Sequence, residues 1–169
     1  HSLTESAVLI RPHHALLSLR GKDFLDFLQR LSTNDVKGLS LHQTQTTILV
    51  TEKAKIVDVA TVIMLKDEIL LMLESGKAEA IEKWLNKFLF TESVVIRNVT
   101  SEYEHVMVVG PQSVTAIQRF IPTYHFPEVK AVDSVLGLNE GIVFVDSFSN
   151  NKYFHILVRN DQQVDLMNE

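Results

Sequence analysis

Asp58 is the acidic residue of this 169-residue sequence whose neighbours fit least well with a passive surface role. It interrupts the apolar stretch Ile56-Val57-Asp58-Val59-Ala60, where strand alternation puts it on one face with Ile56 and Ala60. A carboxylate on a core face is costly unless it is used or paired, so the candidates are a ligand contact, a satisfied structural carboxylate, or an exposed edge position. Asn34 and Asp35 lie in the turn-rich stretch from Ser32 to Gly38, where such side chains either cap backbone groups or face a cavity. Lys53 and Lys55 flank a tight turn and read as a solvated hairpin tip. His13 and His14 are adjacent on an extended segment, so they point to opposite faces and do not readily converge on one metal ion. His105 and His155 fall within strands, the usual setting of half-buried structural imidazoles. The absence of cysteine excludes disulfides, thiolate metal sites, iron–sulfur ligation by this chain and cysteine nucleophiles. No Ser-His-Asp order, phosphate-binding glycine loop or metal-ligand spacing stands out, so neither a catalytic residue nor a metal is assigned.

The elements that must hold these residues follow from periodicity. Ala15 to Leu19 is a short apolar strand ended by Gly21, and Phe24, Phe27, Leu28 and Leu31 then recur at helical spacing. Three strands follow, Thr46 to Val50, Ile56 to Leu65 and Glu68 to Glu74, separated by polar breaks. A second amphipathic helix, from about Lys77 to Phe88, carries Ile81, Trp84, Leu85 and Phe88 on its apolar face. Val94 to Val99 reads as a linker. The same order then restarts: the strand His105 to Val109, a helix opened by Gly110-Pro111 and running through Ile121, and strands Ala131 to Leu136, Gly141 to Ser147 and Tyr153 to Arg159. Asn160-Asp161 then starts a final helix carrying Val164 and Met167.

Matching elements are offset by roughly 85 to 90 residues, which predicts one domain over residues 1–169 built from two repeats, about 15–92 and 100–169. Hairpin-length connections and few helices predict an α+β fold of two similar lobes with mostly antiparallel sheets and a ligand crevice between them. The final helix is short compared with its counterpart, so a C-terminal part of the natural protein is expected to be missing. A composition 46% hydrophobic and 22% charged is that of a globular protein with one sizeable core. Sixteen basic against twenty-one acidic residues give a net charge of -5, which argues against general attraction to phosphate backbones or anionic lipids and hence against direct nucleic-acid binding. The apolar runs fall short of a membrane span and the N-terminus lacks a secretory pattern, so a cytoplasmic location is expected.

The run from Leu19 to Val36, Leu-Arg-Gly-Lys-Asp-Phe-Leu-Asp-Phe-Leu-Gln-Arg-Leu-Ser-Thr-Asn-Asp-Val, resembles the opening of the folate-binding family of the glycine-cleavage T-protein and the YgfZ-like proteins. Glu52-Lys53-Ala54-Lys55-Ile56-Val57-Asp58 is similar to that family's Lys-Gly-Arg-Ile-Val-Asp element. Trp84-Leu85-Asn86-Lys87-Phe88 and Gly110-Pro111-Gln112-Ser113 are similar to two further family segments, so the likeness covers most of residues 15 to 115.

The resemblance implies a two-lobed fold around a tetrahydrofolate cavity, with Asn34, Asp35, Asp58, Lys55 and His155 as cofactor-binding candidates. In that frame the lysines meet the glutamate tail of folate. The chain departs from the transferase pattern where the paired aspartates become Asp58-Val59, where Ala54-Lys55 replaces Gly-Arg, and where His155 stands in place of a pterin-gripping glutamate. These departures point to a YgfZ-like folate-binding protein linked to iron–sulfur protein maintenance or tRNA modification, with iron–sulfur client proteins as partners. An aminomethyltransferase and a non-catalytic scaffold retaining the fold are the alternatives.

Overall fold

The computed structural model of the chain describes residues 7–120, 132–135, 141–148 and 151–160. In chain order these form β1 (Val8–Ile10), β2 (Ala15–Arg20), α1 (Phe24–Leu31), β3 (Thr44–Val50), β4 (Ile56–Met64), β5 (Glu68–Leu73), α2 (Ala78–Asn86), β6 (Val95–Asn98), a 3-10 turn at Thr100–Glu102, β7 (Tyr103–Val109), α3 (Ser113–Phe120), β8 (Val132–Val135), β9 (Gly141–Phe148) and β10 (Asn151–Arg159). The chain divides into two compact units, residues 13–100 and residues 1–12 with 101–169.

The unit of residues 13–100 holds a sheet of order β3-β4-β5-β2-β6, and the other a sheet of order β8-β9-β10-β7-β1. Every described strand pair is antiparallel, and the fold is α+β. Read from β3 and from β8, the two sheets run through corresponding strands until the last position. There, β6 precedes β7 in the chain but pairs with β2, and β1 precedes β2 but pairs with β7. The stretch expected as a linker, Val94 to Val99, is thus in large part the edge strand β6, and β1 is a strand that periodicity does not reveal. Edge strands of three or four residues, Val8–Ile10 and Val95–Asn98, are too short to show a period. The third helix starts at Ser113, beyond Gly110-Pro111, which instead forms a turn closed by the Ser113 N–H donating to the Gly110 carbonyl at 3.0 Å. The second helix is trimmed to Ala78–Asn86. The final helix expected after Asn160-Asp161 lies outside the described residues.

Helix α1 packs Phe27, Leu28 and Leu31 onto the sheet, and its last turn is closed by the Ser32 hydroxyl, which donates to the Leu28 carbonyl at 2.7 Å. Helix α2 presents Ile81 and Leu85 to the same core, with the exposed Glu79–Lys83 pair on its far side. Leu17, Leu19, Ile69, Leu71, Ala60, Val62 and Leu49 form the sheet's contribution to that core. In the other unit Val106, Val108, Val143, Val145, Phe154, Ile156 and Val158 pack with Ile117 of α3. Glu68, though buried, is satisfied: its carboxylate accepts from the Ser18 hydroxyl at 2.5 Å and from two Arg20 nitrogens at 3.0 Å each.

The β3–β4 hairpin turns through Ala54, whose φ of 55° lies in the left-handed region. This is the position where the resembled motif carries glycine, and a side chain there costs about 1–2 kcal/mol relative to the right-handed region. The turn is held by the Ala54 N–H donating to the Thr51 carbonyl and the Lys55 N–H donating to the Thr51 hydroxyl. Ala54→Gly is therefore expected to stabilise the chain by about 0.5–1 kcal/mol, the relief of strain exceeding the entropy that glycine adds to the unfolded state. A higher urea midpoint at an unchanged slope would show it, and a lower one would mean that the strain is absorbed elsewhere.

Candidate functional site

Register decides which face Asp58 occupies. Asp58 pairs with Leu49, Ala60 with Thr47 and Val62 with Gln45, and directly opposed residues share a face. Asp58 therefore stands on the face of β4 that carries Ala60 and Val62, the face packed by α1 and α2. A register shift between Leu49 and Val50 pairs Ile56 with Val50, so Ile56 does not share this face as simple alternation predicts; it is 68% exposed. The Asp58 Oδ1 accepts the Val59 N–H at 2.8 Å. Its Oδ2 is buried and has no hydrogen-bond partner. Val59, in the place of the second aspartate of the transferase pattern, faces the other way and is 51% exposed. A paired-aspartate sequence thus sends one carboxylate to each side of the ribbon, and this chain keeps the one on the helix side.

The turn carrying Asn34 and Asp35 is brought to the same end of the sheet. Ser32 bridges Leu49, and the Thr33 N–H donates to the Ile48 carbonyl at 3.1 Å. Both Asn34 and Asp35 are exposed, and both make local bonds. The Asn34 Oδ1 accepts from the Thr33 hydroxyl at 3.0 Å, and the Asp35 Oδ1 accepts the Gly38 N–H at 3.2 Å. Their described bonds are therefore those of turn-forming residues. Lys53 and Lys55 are exposed at the hairpin tip, as a solvated turn requires.

His155 belongs to the other unit. It is buried on β10, stacked on Phe144 with ring centroids 4.5 Å apart, and its Nδ1 is 3.0 Å from the Nε2 of His105. Two ring nitrogens at that distance share one proton, so each imidazole fixes the orientation of the other. Periodicity cannot disclose this pair, because it depends on the β7–β10 register that sets Leu157 opposite His105 and Met107 opposite His155. His13 is exposed and His14 half-buried; burial pushes the His14 imidazole below its ordinary value, while the Glu74 carboxylate pulls the other way. Among the described residues no group of three or more His, Cys, Asp or Glu side chains could hold a metal ion, and no helix is long and apolar enough to cross a membrane.

Two further polar residues share the Asp58 face. The Thr47 Oγ1 and the Gln45 Oε1 are buried without a hydrogen-bond partner, and Thr47 is 1% exposed. Sequence reasoning passed over them, although a Thr-Gln-Thr-Thr run opening an otherwise apolar strand is a visible departure from core patterning.

Comparison with known proteins gives this geometry a family. The chain is 25% identical over 160 residues to an aminomethyltransferase of Staphylococcus carnosus, covering 91% of this chain and 43% of that one. Its fold is similar to the glycine cleavage system aminomethyltransferase T of Bartonella henselae, with a TM-score of 0.77 at 19% identity over 92% of this chain and 43% of that one. It is also similar to a heterotetrameric sarcosine oxidase of Corynebacterium sp. U-96, with a TM-score of 0.58 at 17% identity over 92% of this chain and 77% of that one. The chain spans less than half the length of the curated relatives it matches. The model of the GCVT N-terminal domain matches residues 8–169, nearly the whole sequence, and the chain therefore belongs to the glycine-cleavage T-protein, or aminomethyltransferase, family.

Proposed function

We propose that this chain forms a tetrahydrofolate-binding part of an aminomethyltransferase-family protein, with Asp58 as the carboxylate that contacts the ligand. The observation that carries the reading is the Asp58 Oδ2, a buried acceptor with no partner in the chain. Leaving such an oxygen unmet costs about 1–3 kcal/mol, and an N–H donor from a bound heterocycle would recover it. Tetrahydrofolate, when bound, supplies ring and side-chain nitrogens that accept a one-carbon unit. The chain's part is to hold that carrier, keep water from the Asp58 carboxylate and accept a hydrogen bond at Oδ2. Asn34, Asp35 and Lys55 would border the ligand from exposed positions, with Lys55 meeting its anionic tail.

The names of the relatives favour the transferase reading over the YgfZ-like one. A specific feature still supports the latter. Val59 leaves only one carboxylate on β4, which weakens proton handling more than it weakens binding. Under that second reading the protein serves iron–sulfur clients or tRNA modification as a folate-binding module.

Calorimetric titration with tetrahydrofolate tests the common part. Asp58→Asn preserves size and removes charge, so it is expected to weaken binding by about 1–3 kcal/mol while leaving the melting temperature close to that of the wild type. Unchanged affinity together with a clearly lowered melting temperature would assign Asp58 to the structure instead. Folate-dependent ammonia release from an aminomethyl-lipoyl carrier by the full-length protein would select the transferase reading, and folate binding without it the YgfZ-like one.

A further inference from the structure

We propose that His105 and His155 form an acid-sensitive latch between β7 and β10. It holds while the pair carries at most one shared proton and gives way when a second enters. The latch is independent of the folate reading and rests on the geometry of the rings. The Nε2 of His105 and the Nδ1 of His155 are 3.0 Å apart, so one of them donates and the other accepts. Both residues are buried. An imidazolium keeps no ring acceptor, so a doubly protonated pair sets two N–H groups head to head. The contact is then lost, whatever the outer ring nitrogens meet.

The sheet leaves the rings little room to swing apart. Leu157 opposes His105 and Met107 opposes His155, which makes the two imidazoles diagonal neighbours on one face of paired strands. His155 is stacked on Phe144 with planes 3° from parallel, and Leu157 and Ile142 are buried on the same face. Such surroundings screen two like charges poorly. Among the described strands of this sheet, the ionisable residues at register positions of that face are Tyr103, Tyr153, Arg159 and Asp146. Arg159 is a permanent cation, its guanidinium 5.4 Å from the Tyr103 ring centroid, and it opposes further positive charge. Asp146, paired with Tyr153, is a single carboxylate and offsets one of the two charges at most. Glu104, Asp133 and Lys152 fall at positions of the opposite face, the side of α3 and its Arg119, and Arg11 of the segment after β1 bridges to Glu104.

In the unfolded chain each imidazole takes its proton near about pH 6.5, whereas the folded pair resists the second. The unfolded state therefore binds more protons in acid, so the latch contributes its full stability above that pH and loses it as the pH falls below. Between about pH 7.5 and about pH 5 the wild-type chain is expected to lose about 4–8 °C more in melting temperature than the double variant His105→Gln/His155→Gln, whose amides still hydrogen-bond but do not titrate. Proton NMR of the wild-type rings needs no variant. With a histidine-containing peptide as reference, at least one ring of the pair is expected to keep its neutral-form signal at a pH where the peptide is fully charged, for as long as the chain stays folded. Two rings that both charge in the folded chain would overturn the latch. Equal acid losses in wild type and double variant would overturn it as well. If the double variant does not fold, the ring titration decides alone.

Discussion

Gly21→Ala is expected to destabilise the chain by about 3 kcal/mol or more and to lower its melting temperature by about 6 °C or more. Gly21 has a φ of 122°, a conformation that a side chain makes strained. A Cβ built there would lie 2.0 Å from the Ser93 carbonyl oxygen and 2.8 Å from its carbon. Both obstacles are backbone, so no rotamer change relieves them. The approach is locked from the other side as well. The Asp23 Oδ2 accepts the Ser93 N–H at 2.7 Å, and the Asp23 N–H donates to the Ser93 carbonyl at 3.3 Å. This clamp ties the entry of α1 to the segment that leads into β6, so the two ends of the unit of residues 13–100 are joined across it. With total stabilities of about 5–15 kcal/mol for ordinary domains, a loss of this size is a large fraction of the whole. Chemical denaturation of the purified variant measures it; a midpoint within error of wild type would show that Ser93 can move aside without cost.

Phe27→Ala should cost about 3–5 kcal/mol, the range for emptying a buried aromatic site. Phe27 is completely buried in α1, where it contributes to the core shared with β4 and β5, and the Arg30 guanidinium lies 5.8 Å from its ring centroid. Truncation leaves a void among side chains held by two helices and a five-stranded sheet, which cannot collapse freely. Because the same core backs Ala60 and Val62 beside Asp58, the folate binding proposed above is expected to weaken along with stability. Phe90 is the internal control: it is 79% exposed, so Phe90→Ala is expected to stay within about 0.5 kcal/mol of wild type. Similar thermal shifts for the two variants would contradict the assignment of Phe27 to the core.

Much of the α+β pattern was legible because periodicity is a local property. The spacing of Phe24, Phe27, Leu28 and Leu31 reports a helix with one buried face, and the apolar runs Ile56 to Leu65 and Glu68 to Glu74, bounded by polar breaks, report strands, whatever their partners are. Asp58 stood out for the same reason, as a charge within an apolar run. The edge strands β1 and β6 were not legible, since three or four residues carry no period and their pairing with β7 and β2 is set by distant segments. The face of Asp58 relative to Ile56 was misjudged from sequence because a bulge, which alternation cannot foresee, shifts the register between Leu49 and Val50. The contact of His155 with His105 and Phe144, and the alignment of Gln45 and Thr47 with Asp58, exist only once strands are paired. Sequence determined which side chains favour burial, whereas the need for glycine at position 21 came from the approach of the Ser93 backbone. Tertiary pairing decided which polar atoms were left buried without a partner, because hydrogen-bond satisfaction depends on neighbours far apart in the chain.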